Sequence, residues 1–195
     1  MLKAGLTGNI GSGKSAVALV FSSLGIPVFH ADEESKKLLG SPEVIDEISR
    51  SFGKDTIVNG LIDKRKLASL VFGDRQSLNH LNGIMHPLVL KGFNTWVSTR
   101  PLAPYVIMEA AILFESGYNK EFDRIVHVSC PEDMAIERVM KRDGVERKLV
   151  LDRMQYQIKD DDKARMSDFV IINDGNHLVI PQVMAIHNSL LEIGA

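Results

Sequence analysis

An α/β fold with a five-stranded parallel sheet is predicted by three features of the sequence. Short apolar runs alternate with longer helical patterns, several runs carry apolar residues at consecutive positions, and the first run leads straight into a glycine-rich loop. Consecutive apolar positions mark strands covered on both faces, and alternation with helices is how parallel strands are joined. In chain order the predicted strands are "LKAGLT" (2–7), "IPVFHA" (26–31), "YVIMEA" (105–110), "RIVHVS" (124–129) and "DFVIIN" (168–173). Helical patterns cover roughly 14–24, 131–142, 145–158 and 177–192.

Residues 33–100 break the alternation. They hold no clear strand, and "PEVIDEISRSF", "DKRKLASLVFG" and "HPLVLKGFNTWVSTR" have helical spacing, punctuated by Pro42, Gly53, Gly60, Gly73 and Pro101. The organisation expected is a core over 1–32, 101–140 and 159–195, a helical insertion over 33–100 of the kind that often carries substrate contacts, and a second, smaller insertion over 141–158. In the smaller insertion, Lys141, Arg142, Arg147, Lys148 and Arg153 crowd together.

Composition narrows the class. With 45% apolar and 25% charged residues, the 195-residue chain has an ordinary globular balance and can bury a sizeable core. A net charge of −2 gives no basic field for nucleic acid or an anionic membrane. No apolar run reaches the roughly 18 residues needed to span a bilayer. The first residues read as a strand, not a secretion signal. Cys130 is the single cysteine, so no internal disulfide can form, and a reducing cytoplasm is the expected setting.

Gly8, Gly13, Lys14 and Ser15 in "GLTGNIGSGKSAV" match the phosphate-loop pattern G-x-x-x-x-G-K-[ST]. Glycines let successive backbone N–H groups turn inward around a phosphate chain, and the following helix adds the positive end of its dipole. Lys14 is expected at the β- and γ-phosphates of ATP, and the Ser15 hydroxyl on Mg²⁺. No Asn-Lys-x-Asp guanine reader occurs, and the short chain suits a small-molecule kinase better than a motor or remodelling ATPase.

Ligands of open α/β sheets bind at the carboxyl ends of the strands. Asp32, just past the second strand, is therefore a candidate base for an acceptor hydroxyl; capping a helix that starts at Glu33 is the other reading, and position alone leaves both open. Glu33 and Glu34 fit that helix's first turn. Glu109 at the third strand's end suits either a water of a Mg²⁺ shell or a solvated loop acid, and position favours the second. Pro87 suits the first position of a helix capped by His86. Asp160–Asp162 reads as solvated surface, and Trp96 with Met134, Met140 and Met154 as core.

These pieces in sequence resemble the dephospho-CoA kinase family. "GLTGNIGSGKS", "GIPVFHAD", "IMHPLV", "ILFESG", "RVMKRDG", "RMQYQ" and "SDFVIINDG" follow in the family's order over some 170 residues. The resemblance implies a P-loop kinase core of three α/β/α layers, a helical substrate domain and a mobile lid. It implies transfer of the ATP γ-phosphoryl to the 3′-hydroxyl of the dephospho-CoA ribose, the last step of coenzyme A synthesis. Carried over by position, Asp32 becomes the base, with Lys14 and Arg142 as the other catalytic residues. Gly8, Asn9, Ile10, Gly11, Ser12, Gly13, Lys14, Ser15 and Ala16 become the phosphate site. His86, Leu113, Phe114 and Glu115 fall where family members contact or shape the acceptor pocket. Asn173 and Gly175 fall near the expected adenine pocket, and Arg142, Asp143, Arg153 and Gln157 match the lid. A monomer or weak homo-oligomer is expected, with no nucleic-acid or membrane partner.

Three positions depart from the family's pattern. His30 replaces the first aspartate of an Asp-Ala-Asp triplet, Ala111 stands at a usual proline, and Ser167 at a usual alanine. Residues 30 and 32 are expected to share a strand face, which puts the imidazole near the candidate base, so that a protonated His30 would lower the pKa of Asp32. Two rivals remain: a kinase for another small acceptor, such as a nucleoside monophosphate or shikimate, and a nucleotide-sensing module without transfer activity.

Overall fold

The structure, a computed structural model, describes residues 1–71 and 74–194; the predicted break at Gly73 lies outside them. The chain divides into two compact units, residues 1–30 with 100–195, and residues 31–99.

The first unit is built on five parallel strands: β1 (Leu2–Thr7), β2 (Val28–His30), and three further strands at Tyr105–Glu109, Arg124–Ser129 and Phe169–Ile172. Each falls within a residue or two of its predicted run. Helix α1 (Lys14–Ser23) joins the first two strands. Strand order across the sheet is Val28–His30, Tyr105–Glu109, Leu2–Thr7, Arg124–Ser129, Phe169–Ile172, which puts β1 in the centre.

Alternation along β1 shows why its apolar residues are consecutive. Leu2, Ala4 and Leu6 join Val17 and Phe21 of α1 and Val183, Ile186 and Leu190 of the C-terminal helix in one core cluster. Gly5 faces the opposite way, where an added Cβ would lie 2.6 Å from Leu113 Cδ1. His127, on the neighbouring strand, pairs with Thr7 and shares that second face, where it meets Asp160. Both sheet faces are therefore covered, giving three layers.

The second unit opens with α2 (Ala31–Leu38) and α3 (Pro42–Phe52), the latter capped by Ser41, whose hydroxyl accepts from Val44 N. A short antiparallel hairpin follows, β3 (Ile57–Val58) with β4 (Leu61–Ile62), where no strand was expected. Its turn is Asn59-Gly60, with φ of +52° and +76°. Asn-Gly is the pair that best tolerates two positive φ values in a two-residue hairpin loop. The signal was in the sequence and went unread.

Helix α4 (Lys64–Val71) and the long α5 (Arg75–Ser98) complete this unit. Pro87 does not open a helix, as the sequence suggested, but lies inside α5. The start signal is Asp74, whose carboxylate accepts from Gln76 N and Ser77 N and so satisfies two of the first-turn donors. Val44, Ile48, Ile62, Leu67, Val71 and Met85 form this unit's own apolar core.

Back in the first unit, β5 (Tyr105–Glu109) and β6 (Arg124–Ser129) lead to α6 (Glu132–Asp143) and α7 (Arg147–Met154). Met140 and Met154 pack against Ile136, Val139 and Val150 there, as core. Next come α8 (Asp160–Met166), unpredicted, then β7 (Phe169–Ile172) and α9 (Val179–Gly194). Among the described residues no helix is long and apolar enough to cross a membrane.

Candidate active site

The loop between β1 and α1 is shaped by close approach. Gly11 has φ +82°, and a Cβ there would meet the Ala135 carbonyl oxygen at 2.2 Å; Gly13 has φ +92°, and its Cβ would meet Asn173 Nδ2 at 2.3 Å. Both positions favour glycine by conformation and demand it by space. Gly13 caps α1 with no side-chain hydrogen bond, and while the Ala16 N–H donates to the Gly13 carbonyl at 3.0 Å, no side chain caps the Lys14 and Ser15 N–H groups among the described residues, which leaves them for an anion at the helix start.

Lys14, at the start of α1, places Nζ 3.2 Å from Glu109 Oε1. Glu109 is not the solvated acid that position favoured; it is 5% exposed. It ends β5, and the ladder sets it opposite His30, the last residue of β2. His30 Nδ1 lies 2.9 Å from Glu109 Oε2. Burial pushes the Glu109 pKa up, but the Lys14 charge and the hydrogen bonds from His30 and Lys14 outweigh it and hold the carboxyl below its usual range.

Because β2 ends at His30 and α2 begins at Ala31, residues 30 and 32 do not share a strand face. Asp32 sits in the first turn of α2, not at its cap. Its side chain is exposed, and no hydrogen bond or ion pair holds the carboxylate among the described residues. His86 is carried by α5 in the same unit, with its pKa pushed down by burial.

The other predicted residues divide. Asn173 is at the loop, with Nδ2 donating to the Ser12 carbonyl at 2.7 Å. Gly175, at φ +82°, turns the segment after β7. There the Asp174 carboxylate accepts from the His177 and Asn176 N–H groups, which lower its pKa to about 2. Gln157 Oε1 accepts from Ile10 N at 3.0 Å, and Asn9 Nδ2 donates to the Ile158 carbonyl at 3.2 Å, so the end of the predicted lid is tied to the loop. Leu113 is fully buried in the core. Glu115 is engaged internally: Oε1 accepts from Ile158 N and from Lys163 Nζ, both at 2.8 Å.

Arg142 lies at the exposed end of α6, where Asp143 holds it through Nε at 2.7 Å and Nη2 at 3.1 Å. Arg153 reaches the same carboxylate at 3.3 Å. One turn earlier, Arg138 stands at the loop itself. Its Nη1 is 3.5 Å from the Ser12 carbonyl and its Nη2 3.5 Å from Asn173 Oδ1. Sequence reading missed Arg138; the available signal was its i, i+4 spacing from Arg142, which places both on one helix face.

Asp160 is likewise not plain surface. Oδ1 lies 3.0 Å from Nε2 of the fully buried His127, and Oδ2 accepts from the Ser129 hydroxyl. A cleft of about 510 Å³ adjoins the loop, lined by Asn9, Ser12, Cys130, Met154, Gln157 and Asp160 among others.

The residues present suit Mg²⁺. Ser15 is exposed at the mouth of the loop, and among the described residues its hydroxyl has no partner. Among the described residues no cluster of three or more His, Cys, Asp or Glu side chains is set to hold a metal. A lone hydroxyl beside a phosphate cradle matches a hard ion that keeps most of its shell from phosphates and water.

One phosphate loop at the end of a central parallel strand, with arginine-bearing helices after β6, defines a P-loop kinase. A dephospho-CoA kinase from Campylobacter jejuni shares this fold at a TM-score of 0.70, with 21% identity over 99% of this chain and 98% of its own. The family follows from closer relatives. The sequence profile described as dephospho-CoA kinase matches residues 2–178, and the chain belongs to that family. It is 38% identical to the dephospho-CoA kinase of a Bacteroides fragilis strain over 184 residues, 94% of this chain and 90% of the relative. A crystal structure from Thermus thermophilus is 32% identical, with a TM-score of 0.84 and coverage of 98% and 97%.

Proposed function

We propose that the chain transfers the γ-phosphoryl group of ATP to the 3′-hydroxyl of the dephospho-CoA ribose, giving coenzyme A and ADP. The observation that carries this is the intact, correctly curled phosphate loop in a chain that matches the family from residue 2 to residue 178.

Residues Gly8 to Ala16 hold the phosphate chain, and Lys14 turns from Glu109 toward the β- and γ-phosphates. Ser15 is the protein oxygen offered to Mg²⁺, which when bound neutralises charge on the β- and γ-oxygens. Asp32 orients the acceptor hydroxyl and accepts its proton as the new O–P bond forms. The bond from the γ-phosphorus to the bridging oxygen breaks, and ADP leaves with the electron pair. Arg138 at the loop, and Arg142 once released from Asp143, are the arginines available to spread charge on the transferring group. Asn173 and Gly175 border the adenine. His86, Leu113, Phe114 and Glu115 are the residues that contact or shape the acceptor's site. We read the enzyme as cytoplasmic, monomeric or weakly self-associating, and acting only on these small molecules.

The test is ADP release with ATP, Mg²⁺ and dephospho-CoA, against AMP, CMP and shikimate controls. Turnover is expected with dephospho-CoA alone. Asp32→Asn should lower kcat by at least about a hundredfold while ATP binding is kept. Release with a different acceptor sinks the assignment of the acceptor. ATP binding without transfer to any of them points to a sensing module.

A further inference from the structure

We propose that His30 is a positioning residue for Lys14: by holding the second oxygen of Glu109, it lets Lys14 leave that carboxylate for a bound phosphate chain. The inference deepens the phosphoryl-transfer reading and rests on it only for the statement that the loop binds a nucleotide.

In the structure Glu109 is shared. Oε1 faces Lys14 at 3.2 Å and Oε2 faces His30 at 2.9 Å. Strand register fixes the sharing, because His30 and Glu109 are ladder partners at the ends of adjacent strands, so neither side chain needs a long reach. Glu109 and Lys14 are nearly dry, with side-chain exposures of 6% and 11%. His30 keeps contact with water, at 35%.

A phosphate chain in the loop draws the Lys14 ammonium toward itself. Glu109 is then left as a buried anion, and a buried charge without a partner is strongly unfavourable. His30 meets that cost. Its Nδ1–H donates to Oε2 in the neutral ring, and the imidazolium would add a positive charge on the solvent side. Without His30, Lys14 is the one remaining neutraliser of Glu109 and is held back in competition with the phosphates. An aspartate at position 30 would repel Glu109, so the departure from the family's triplet and the acid at 109 make one unit in this chain.

The probe is a fluorescent ATP analogue titrated into the full chain, in Mg²⁺ and separately in EDTA. His30→Phe is expected to weaken binding about tenfold in both media, as for loss of a hydrogen bond to a buried carboxylate. The change should fall on KM for ATP and not on kcat. His30→Asn, whose Nδ2 stands close to the place of Nδ1, should recover most of the loss. In a Glu109→Gln background the substitution at 30 should have no effect, because the charge that detains Lys14 is gone. Unchanged binding in His30→Phe, or losses at 30 and 109 that simply add, overturns the inference. An effect seen only with Mg²⁺ also overturns it, since Glu109 would then act on the metal. If the unmodified protein binds no nucleotide at all, the phosphoryl-transfer reading itself has failed, which is a separate result.

Discussion

Lys14 and Lys163 both lie against a glutamate in the same unit of the molecule, and they are held very differently. Among the described residues Lys14 has one ion pair, at 3.2 Å, with a carboxylate that His30 also holds. Lys163 is fully buried, with Nζ donating at 2.8 Å to Glu115 Oε1 and at 2.8 Å to the Ala111 carbonyl. Its partner also accepts the Ile158 N–H, so this pair stitches the segment after β5 to the start of α8. Burial pushes the Lys163 pKa down, and the Glu115 hydrogen bond and charge resist it. The cation proposed for the phosphate chain is held loosely by a partner with an alternative; the architectural one is bound from two directions.

Deleting each lysine in turn should separate the two roles most widely. Lys163→Met leaves the largely buried Glu115 carboxylate with the Ile158 N–H but no counter-ion, and should cost about 3 kcal/mol of stability by urea unfolding. Adding Glu115→Gln should recover part of that loss, because the stranded charge is gone. Lys14→Met should lower kcat by about 10²–10³-fold through loss of a preorganised charge at the transferring group. Its stability should stay within about 1 kcal/mol, because His30 still holds Glu109. If Lys163→Met folds as well as the unmodified protein, or Lys14→Met unfolds it, the contrast fails.

Acid offers a milder probe of the same division. The Glu109 and Asp160 carboxyls are both held below their ordinary values of 4.5 and 3.8 despite burial, Glu109 by Lys14 and His30, Asp160 by His127 and Ser129. A depressed folded-state pKa means the unfolded chain takes up protons first as pH falls. Stability from these groups is therefore complete above about pH 4.5 and is lost progressively below it. Asp160→Asn should be less stable at neutral pH and should show a shallower fall between about pH 5 and pH 3 than the unmodified protein. An unaltered acid slope would mean that Asp160 contributes nothing through its charge.

The difference between the two lysines also marks where the sequence was legible. Lys14 sits in a motif whose chemistry dictates residue types at fixed spacing, so it could be placed without a structure. The five strands were legible for a related reason: burial on both faces forces apolar residues into consecutive positions. "DDDKARM" carries no such constraint. It reads as a charged surface, and only the fold shows that Asp160 meets buried His127 and that Lys163 points inward. Arg138 and Arg142 posed the same difficulty, since both are arginines on one helix and only packing shows that Arg138 is at the loop. His86-Pro87 misled because proline at a helix start is a tendency, whereas the capping carboxylate of Asp74 fixed the actual start. Asn59-Gly60 is a readable hairpin signal, because the pair tolerates the two positive φ values that such a turn needs.

The smallest expected effect lies where the segment after α7 meets the loop. Gln157 Oε1 accepts from Ile10 N, a single neutral hydrogen bond between half-buried groups. Such a bond contributes about 1 kcal/mol net, which is roughly a fivefold change in a local opening equilibrium. Gln157→Ala should therefore speed amide exchange at Ile10 about fivefold, with little change at Ala4 or Leu6 in the strand that feeds the loop. Gln157→Glu keeps the acceptor and should restore protection at Ile10, while adding a negative charge beside the proposed phosphate site and raising KM for ATP a few-fold. Faster exchange along the whole of β1 would instead make this contact architectural, and would place it with Lys163 on the structural side of the comparison.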